Sequence, residues 1–387
     1  MGGFLKRFCG AVIMAVDGIA AGFRAPSGTS ASVGPIVLIR LDAIGDFVLW
    51  LDTARHFRTL YPGRHICLLA NGAWCELAQG LSYWDEVIPI DVPGLVRRPL
   101  YRWRIFHRIS RRKFSLAICP AYSRDFWTGD SVLRATRAAE CIGCDSDLTN
   151  LTPAYKRCSD RWYTRLVPAR PGPLMELRRN AEFMSNLGGL TLNPTVATFP
   201  RRAGGPHESQ AAYCILFPGA SWGGRRWPVE SFVELGVRLR AHGDWQLVLC
   251  GSASERDLCD RVAYALGGDV LNLAGKTSLV QLSEWLRSAK LLVSNETSAI
   301  HIAAAVGTPS VCILGGGHFG RFLPYDALTS GCAPKVAVHQ MPCFHCNWHC
   351  TQPHRAGEAV PCISEVSVAQ VFALALEALA PSAQGAT

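Results

Sequence analysis

The chain has 387 residues, enough for two or three domains with buried cores of their own. Hydrophobic residues make up 49% and charged residues 18%, which excludes extensive disorder, and 16 cysteines over this length are too sparse for a small disulfide scaffold, so a reducing compartment is expected. The formal charge is +9 and arginine supplies 33 of the 39 basic residues, a side chain whose planar fork grips phosphate or carboxylate oxygens in pairs.

Lys6 and Arg7 precede an apolar stretch from Phe8 to Phe23. Sixteen residues interrupted by Asp17 are too few to span a bilayer, and the APSGTSASVG that follows has no clear cleavage site. The segment reads as an interfacial helix resting on anionic lipid through Lys6, Arg7 and Arg24, or else as a docked or unstructured extension. Pro26–Gly34 is a small-residue linker, so residues 1–34 form an N-terminal extension and the folded body starts near Pro35.

Ile36–Leu41 reads as a buried strand, followed by a Gly-containing turn and a helix from about Phe47. Further strands are expected at His65–Ala70, Val87–Ile90 and Ser115–Cys119, separated by helix-length segments, an alternation that predicts a parallel sheet. The stretch Arg97–Lys113 holds eight basic residues, with Leu100, Trp103, Phe106 and Ile109 at helical spacing as its apolar face. Its basic face reads as meeting a membrane or a phosphorylated glycolipid, or as simply solvated; nucleic acid is the least favoured partner. Between 180 and 207 the text turns rich in Gly, Pro and Arg and marks a domain boundary, giving domains 35–195 and 208–387.

A second α/β series follows, with strands at Tyr213–Phe217, Gln246–Cys250, Val270–Leu273, Leu291–Val293 and Ser310–Leu314 and helices at Val229–His242 and Glu255–Leu266. Each half has a first strand ending in a Gly loop, Ala43-Ile44-Gly45-Asp46 and Pro218-Gly219-Ala220-Ser221. No G-x-G-x-x-G is present, which disfavours a dinucleotide-dependent dehydrogenase. Two such Rossmann-like domains facing each other are expected to leave a cleft at the carboxyl ends of their strands.

Near the C-terminus come Cys343, Cys346, Cys350 and Cys362, with His345, His349 and His354 between them. Four thiols in twenty residues suffice for a tetrahedral zinc site, though the spacing departs from a zinc ribbon. An iron–sulfur cluster, disulfides and reduced, unliganded thiols remain open beside a structural zinc.

Four segments in order, LIRLDAIGDFVL at 38–49, PGASWGGRRWPVESF at 218–232, GSASERDL at 251–258 and SNETSAIHIAAAVGTPSV at 294–311, resemble glycosyltransferase family 9, the lipopolysaccharide heptosyltransferase-like enzymes of the GT-B fold. The resemblance spans Ile36 to Leu379. It implies an inverting, metal-independent transfer of a sugar, heptose-like, from a nucleoside diphosphate-sugar to a lipopolysaccharide or other surface-glycan acceptor. No cofactor is then required, and the enzyme is cytoplasmic or peripheral on the inner face of the cytoplasmic membrane.

Asp46 matches the family's base, and one carboxylate within reach of the acceptor hydroxyl is what an inverting displacement needs; by itself a Gly-Asp before a helix also reads as an N-cap. Asp42 is its weaker competitor, and Arg40 matches a basic position suited to an acceptor or donor phosphate. Leaving-group charge without a metal calls for cations and N–H dipoles, which Arg225, Arg226, Ser221 and Gly223 supply. The family more often has Lys at the position of Arg225, Asp at that of Glu296 and Gly at that of Ser298. Glu296, Thr297 and Ser298 open an Ala-rich helix whose N-terminus suits a diphosphate, with His301 beside it as a structural residue or a proton carrier. Glu255 is implied to hold the ribose hydroxyls, against a plain reading as a first-turn helix residue. The competing reading is a catalytically idle nucleotide-binding or assembly protein in the same shell. An epimerase would need further acids or bases that the sequence does not offer.

Overall fold

The computed structural model describes residues 34–202, 211–326 and 331–380. The expected membrane-surface helix within residues 1–34 falls almost wholly outside them. The chain divides into two compact units, one running to Gly172 and regaining Arg178–Leu192, the other made of Pro173–Leu177 and the chain from Asn193 on.

The first unit is a six-stranded parallel sheet of β1 (Ile36–Arg40), β2 (Ile66–Asn71), β3 (Glu86–Ile90), β4 (Leu116–Cys119), β5 (Glu140–Cys144) and β6 (Arg165–Val167), ordered β3-β2-β1-β4-β5-β6. All five residues of β1 are buried, as expected of a central strand covered on both faces. Its helices include α1 (Ile44–Ala54), α2 (Val92–Arg97) and α3 (Pro99–Ser110).

Helix α3 is rotated from the phase its sequence suggests. Arg102, Ile105, Phe106 and Ile109 face inward, while Leu100 is 76% and Trp103 42% exposed. The reason is Arg102, whose guanidinium donates to the carbonyls of Leu95 (3.3 Å) and Trp127 (2.6 Å) and lies 4.5 Å from the Phe106 ring centroid. With its charge spent on backbone acceptors, this arginine takes a core position and the row 102-105-106-109 becomes the buried face.

The second unit repeats the architecture with β7 (Tyr213–Phe217), β8 (Gln246–Leu249), β9 (Val270–Asn272), β10 (Leu291–Asn295), β11 (Ser310–Ile313) and β12 (Lys335–Ala337), ordered β12-β11-β10-β7-β8-β9 and parallel throughout. Helices α4 (Val229–His242) and α5 (Arg256–Leu266) pack on it with α6 (Ser298–Val306) and α7 (Val368–Leu379). Trp227, Phe232, Leu235 and Leu239 meet Leu247, Leu249 and Val371 in its core. In both units the strand order reverses beside the first strand, between β1 and β4 and between β7 and β10, and open α/β sheets bind ligands outside the strand ends at such points.

Candidate functional site

In the first unit the loop after β1 is locked from several sides. Arg40, at the strand end, ion-pairs with Asp42 at 2.8 Å, donates to the carbonyl of Asp46 at 3.2 Å and lies over Trp50. Asn71 and Trp74, from the end of β2 and the turn beyond it, donate to the carbonyl of Asp42, and Trp74 stacks on Phe47 with centroids 3.9 Å apart. Arg40 thus braces the loop that presents Asp46. Asp46 itself is half-buried in the first turn of α1. It is not the cap: that position is Ala43, which makes no side-chain bond, so α1 begins earlier than the sequence suggests.

In the second unit the loops after β7 and β10 are tied together by Asn295, whose amide donates to Pro218 O (2.8 Å) and accepts from Trp227 N (3.0 Å). This knot brings Arg225 to Glu296. Arg225 Nη2 donates to Glu296 O at 2.7 Å and stands 3.3 Å from Glu296 Oε2. Burial pushes the Glu296 carboxyl up to about 7, opposed by the Arg225 charge. The Arg225 guanidinium also lies 4.8 Å from the ring centroid of Trp348.

The other expected residues divide. Arg226 gives both Nε and Nη2 to Ala220 O and so shapes the loop. Ser221 is exposed and Gly223 half-buried on the same loop. Thr297 caps α6, accepting from Ala299 N, and Ser298 is the first residue of that helix. Glu255 closes a capping box with Ser252, and a side chain on Gly219 would strike its carboxylate, so it lies against the β7 loop while serving the helix. His301 is buried with Nδ1 2.9 Å from Tyr325 Oη, and burial drives its pKa down to about 4, the setting of a neutral structural imidazole.

The four C-terminal cysteines are near one another: Cys343, Cys346 and Cys350 all bear electrostatically on the Cys362 thiol, and Cys362 Sγ accepts from Gly316 N. Among the described residues no three His, Cys, Asp or Glu side chains are gathered as a metal-ligand group. Two residues of this region, Trp348 and His318, escaped the sequence reading. The signal for Trp348 is a tryptophan set between Cys346 and Cys350, where the thiols are the more conspicuous chemistry.

Two Rossmann-like units with anion-suited loops at their switch points are the architecture of a GT-B glycosyltransferase, and known proteins bear this out. The model of glycosyltransferase family 9 (heptosyltransferase) matches residues 175–351. Lipopolysaccharide heptosyltransferase 2 of Salmonella typhimurium is 35% identical over 300 residues, 72% of this chain and 82% of that protein. In fold, the chain is similar to the Escherichia coli ADP-heptose lps heptosyltransferase II (TM-score 0.65, 19% identity, 89% of this chain and 98% of that one). It is also similar in fold to the iron-containing dodecameric glycosyltransferase TibC of enterotoxigenic E. coli (TM-score 0.56, 14% identity, 90% and 77%). The chain belongs to glycosyltransferase family 9, the heptosyltransferases, and is a glycosyltransferase enzyme.

Proposed function

We propose that the enzyme transfers heptose from a nucleoside diphosphate-heptose, ADP-heptose in the first instance, to a lipopolysaccharide acceptor with inversion at the anomeric carbon and no metal in the transfer step. The observation that carries this reading is the Arg225–Glu296 pair at the switch point of the second unit. A guanidinium held 3.3 Å from a buried carboxyl can exchange that partner for a diphosphate, since burial favours the neutral form of the carboxyl once the guanidinium turns away. The N-terminal N–H groups of α6 offer further positive potential to the departing phosphates. In the first unit Asp46 accepts the proton of the acceptor hydroxyl as it attacks, and Arg40 keeps Asp46's loop in shape. The kinship with proteins named for ADP-heptose and lipopolysaccharide supports the choice of donor and acceptor.

The acceptor is lipid-borne, and the enzyme works as a peripheral protein at the cytoplasmic membrane face. No described helix is long and apolar enough to cross a membrane. The contact assigned is α2–α3, where Val96, Leu100 and Trp103 stand exposed among Arg97, Arg104 and Arg108 and no acidic residue occurs between Asp91 and Asp125. The thiols of Cys343, Cys346, Cys350 and Cys362 are of the donor type a structural zinc takes, but among the described residues they are not gathered as a ligand group, so no metal is assigned to them. Metal analysis of the purified protein tests this: less than stoichiometric zinc or iron is expected, and one bound equivalent would refute it.

A thermal-shift screen of nucleoside diphosphates and their sugars tests the donor reading, since a ligand at 100 times its Kd stabilises by about 2.7 kcal/mol. ADP and ADP-heptose are expected to raise the Tm. Binding of ADP without heptose release to any acceptor would instead favour an idle nucleotide-binding protein.

A further inference from the structure

The cysteine-bearing loop is built into the phosphate-side loop of the second unit. Trp348 lies beneath Arg225, with the guanidinium carbon 4.8 Å from its ring centroid, while Glu296 holds the same guanidinium from the loop after β10. The indole is fixed in turn. Its Nε1 donates to His318 Nδ1 at 3.2 Å, and His318 Nε2 stands 2.7 Å from Asn347 Oδ1. Because an indole N–H only donates, His318 Nδ1 must accept, which puts the imidazole proton on Nε2 and directs it to Asn347. Trp222 meets the indole edge-on with centroids 6.1 Å apart, and the ring covers Gly317 so closely that any side chain there would strike it.

The backbone under this arrangement is unusual. His345, Asn347 and Trp348 all have φ between +50° and +69°, a left-handed conformation that non-glycine residues rarely adopt. Packing compels it: His345 N donates to Gly316 O at 2.7 Å and Asn347 N to Gly317 O at 3.0 Å, while Cys362 accepts from Gly316 N. Beyond Cys350, Val360 N donates to Gly224 O at 2.9 Å, so the same segment also grips the loop that carries Arg225. Three strained residues held in register across four positions, with the ring they present placed under a ligand-directed arginine, are what a positioning device requires.

We propose that Trp348 is a positioning residue for Arg225, and that the segment Cys343–Cys362 is thereby part of the donor diphosphate site. The face of the indole attracts the guanidinium and keeps it presented when Glu296 gives way to phosphate oxygens, so that the arginine need not be reordered at each binding event. This inference rests on the donor reading above.

The test compares ADP and adenosine affinities by calorimetry, with the Tm of each sample, for the full-length protein, Trp348→Leu, Trp348→Phe, Arg225→Ala and the double variant Arg225→Ala/Trp348→Leu. Trp348→Leu, which keeps bulk without a π face, is expected to weaken ADP roughly threefold to tenfold and to leave adenosine unchanged. Trp348→Phe should restore most of that affinity although it lacks the N–H to His318. In the Arg225→Ala background the Leu substitution should have no further effect on ADP. Equal ADP affinity in the Leu variant and the parent, or an equal loss of adenosine affinity, would overturn the inference while leaving the donor reading intact. Failure of the unaltered protein to bind ADP would overturn both. If the Leu variant unfolds, the Phe variant decides: ADP affinity as low as that of Arg225→Ala contradicts the role of the ring face.

Discussion

Arg225 and Glu296 are both visible in the sequence as site candidates, but their pairing is not, because these two residues, 71 apart in the chain, meet only when strands β7 and β10 lie side by side. The same holds for the titration of Glu296, which comes from burial that no local pattern announces. Its folded-state pKa of about 7 lies above the ordinary carboxylate value of 4.5, so the native chain holds the proton more tightly and loses stability as pH rises through that window. Glu296→Gln removes the titration. The Tm of this variant relative to the parent should therefore climb between pH 5 and pH 8, and a constant difference would contradict the assignment. His301 runs the other way: a pKa of about 4 means that stability drops as pH falls from about 6.5. Of the two sequence readings of His301, structural residue or proton carrier, its contact with Tyr325 supports the structural one. Arg226 shapes its own loop through Ala220 O, and Arg40 ties its loop through the Asp42 carboxylate and Asp46 O, pairings that the sequence does not announce.

Elements with strong periodicity were legible and short edge strands were not. Tyr213–Phe217 and Val229–His242 fall where the sequence puts them, being a continuous apolar run and a long amphipathic helix. Strands β6 and β12 have three residues each, too few to carry a pattern. Strand β5 reads Glu-Cys-Ile-Gly-Cys, and its glycine argues against a strand until one sees that the Tyr163 ring packs where a side chain would go. Tyr163 donates at 2.6 Å to the buried Asp130, which faces the buried Arg124. Gly143→Ala should push the ring out of this network and cost about 1–3 kcal/mol in chemical denaturation, with ADP binding unaffected; an unchanged midpoint would show that Tyr163 moves freely. The phase of α3 was misread because Arg102 sits in the core. Its exposed Leu100 and Trp103 lead to a second expectation at this scale. The protein should sediment with vesicles containing phosphatidylglycerol and not with pure phosphatidylcholine, and Leu100→Asp/Trp103→Asp should weaken that binding at least roughly tenfold. Equal sedimentation of the double variant would refute the assignment of this surface.

At the scale of the whole molecule, the repeat of one α/β architecture was readable from the alternation of strands and helices. The identical ordering of the two sheets, each with its first strand beside the reversal point, required the structure. That ordering explains why the two Gly loops matter: each leaves the carboxyl end of the strand where a ligand site is expected, one presenting a carboxylate and the other a guanidinium. In the proposed reaction the two units have separate duties, proton acceptance by Asp46 and retention of the leaving diphosphate by Arg225. The most direct measurement of that division is ADP affinity and the rate of heptose transfer from ADP-heptose to a lipopolysaccharide acceptor, both determined on Asp46→Asn. The variant should bind ADP as the parent does and transfer heptose roughly a hundredfold to ten-thousandfold more slowly; transfer at the parental rate would contradict the account.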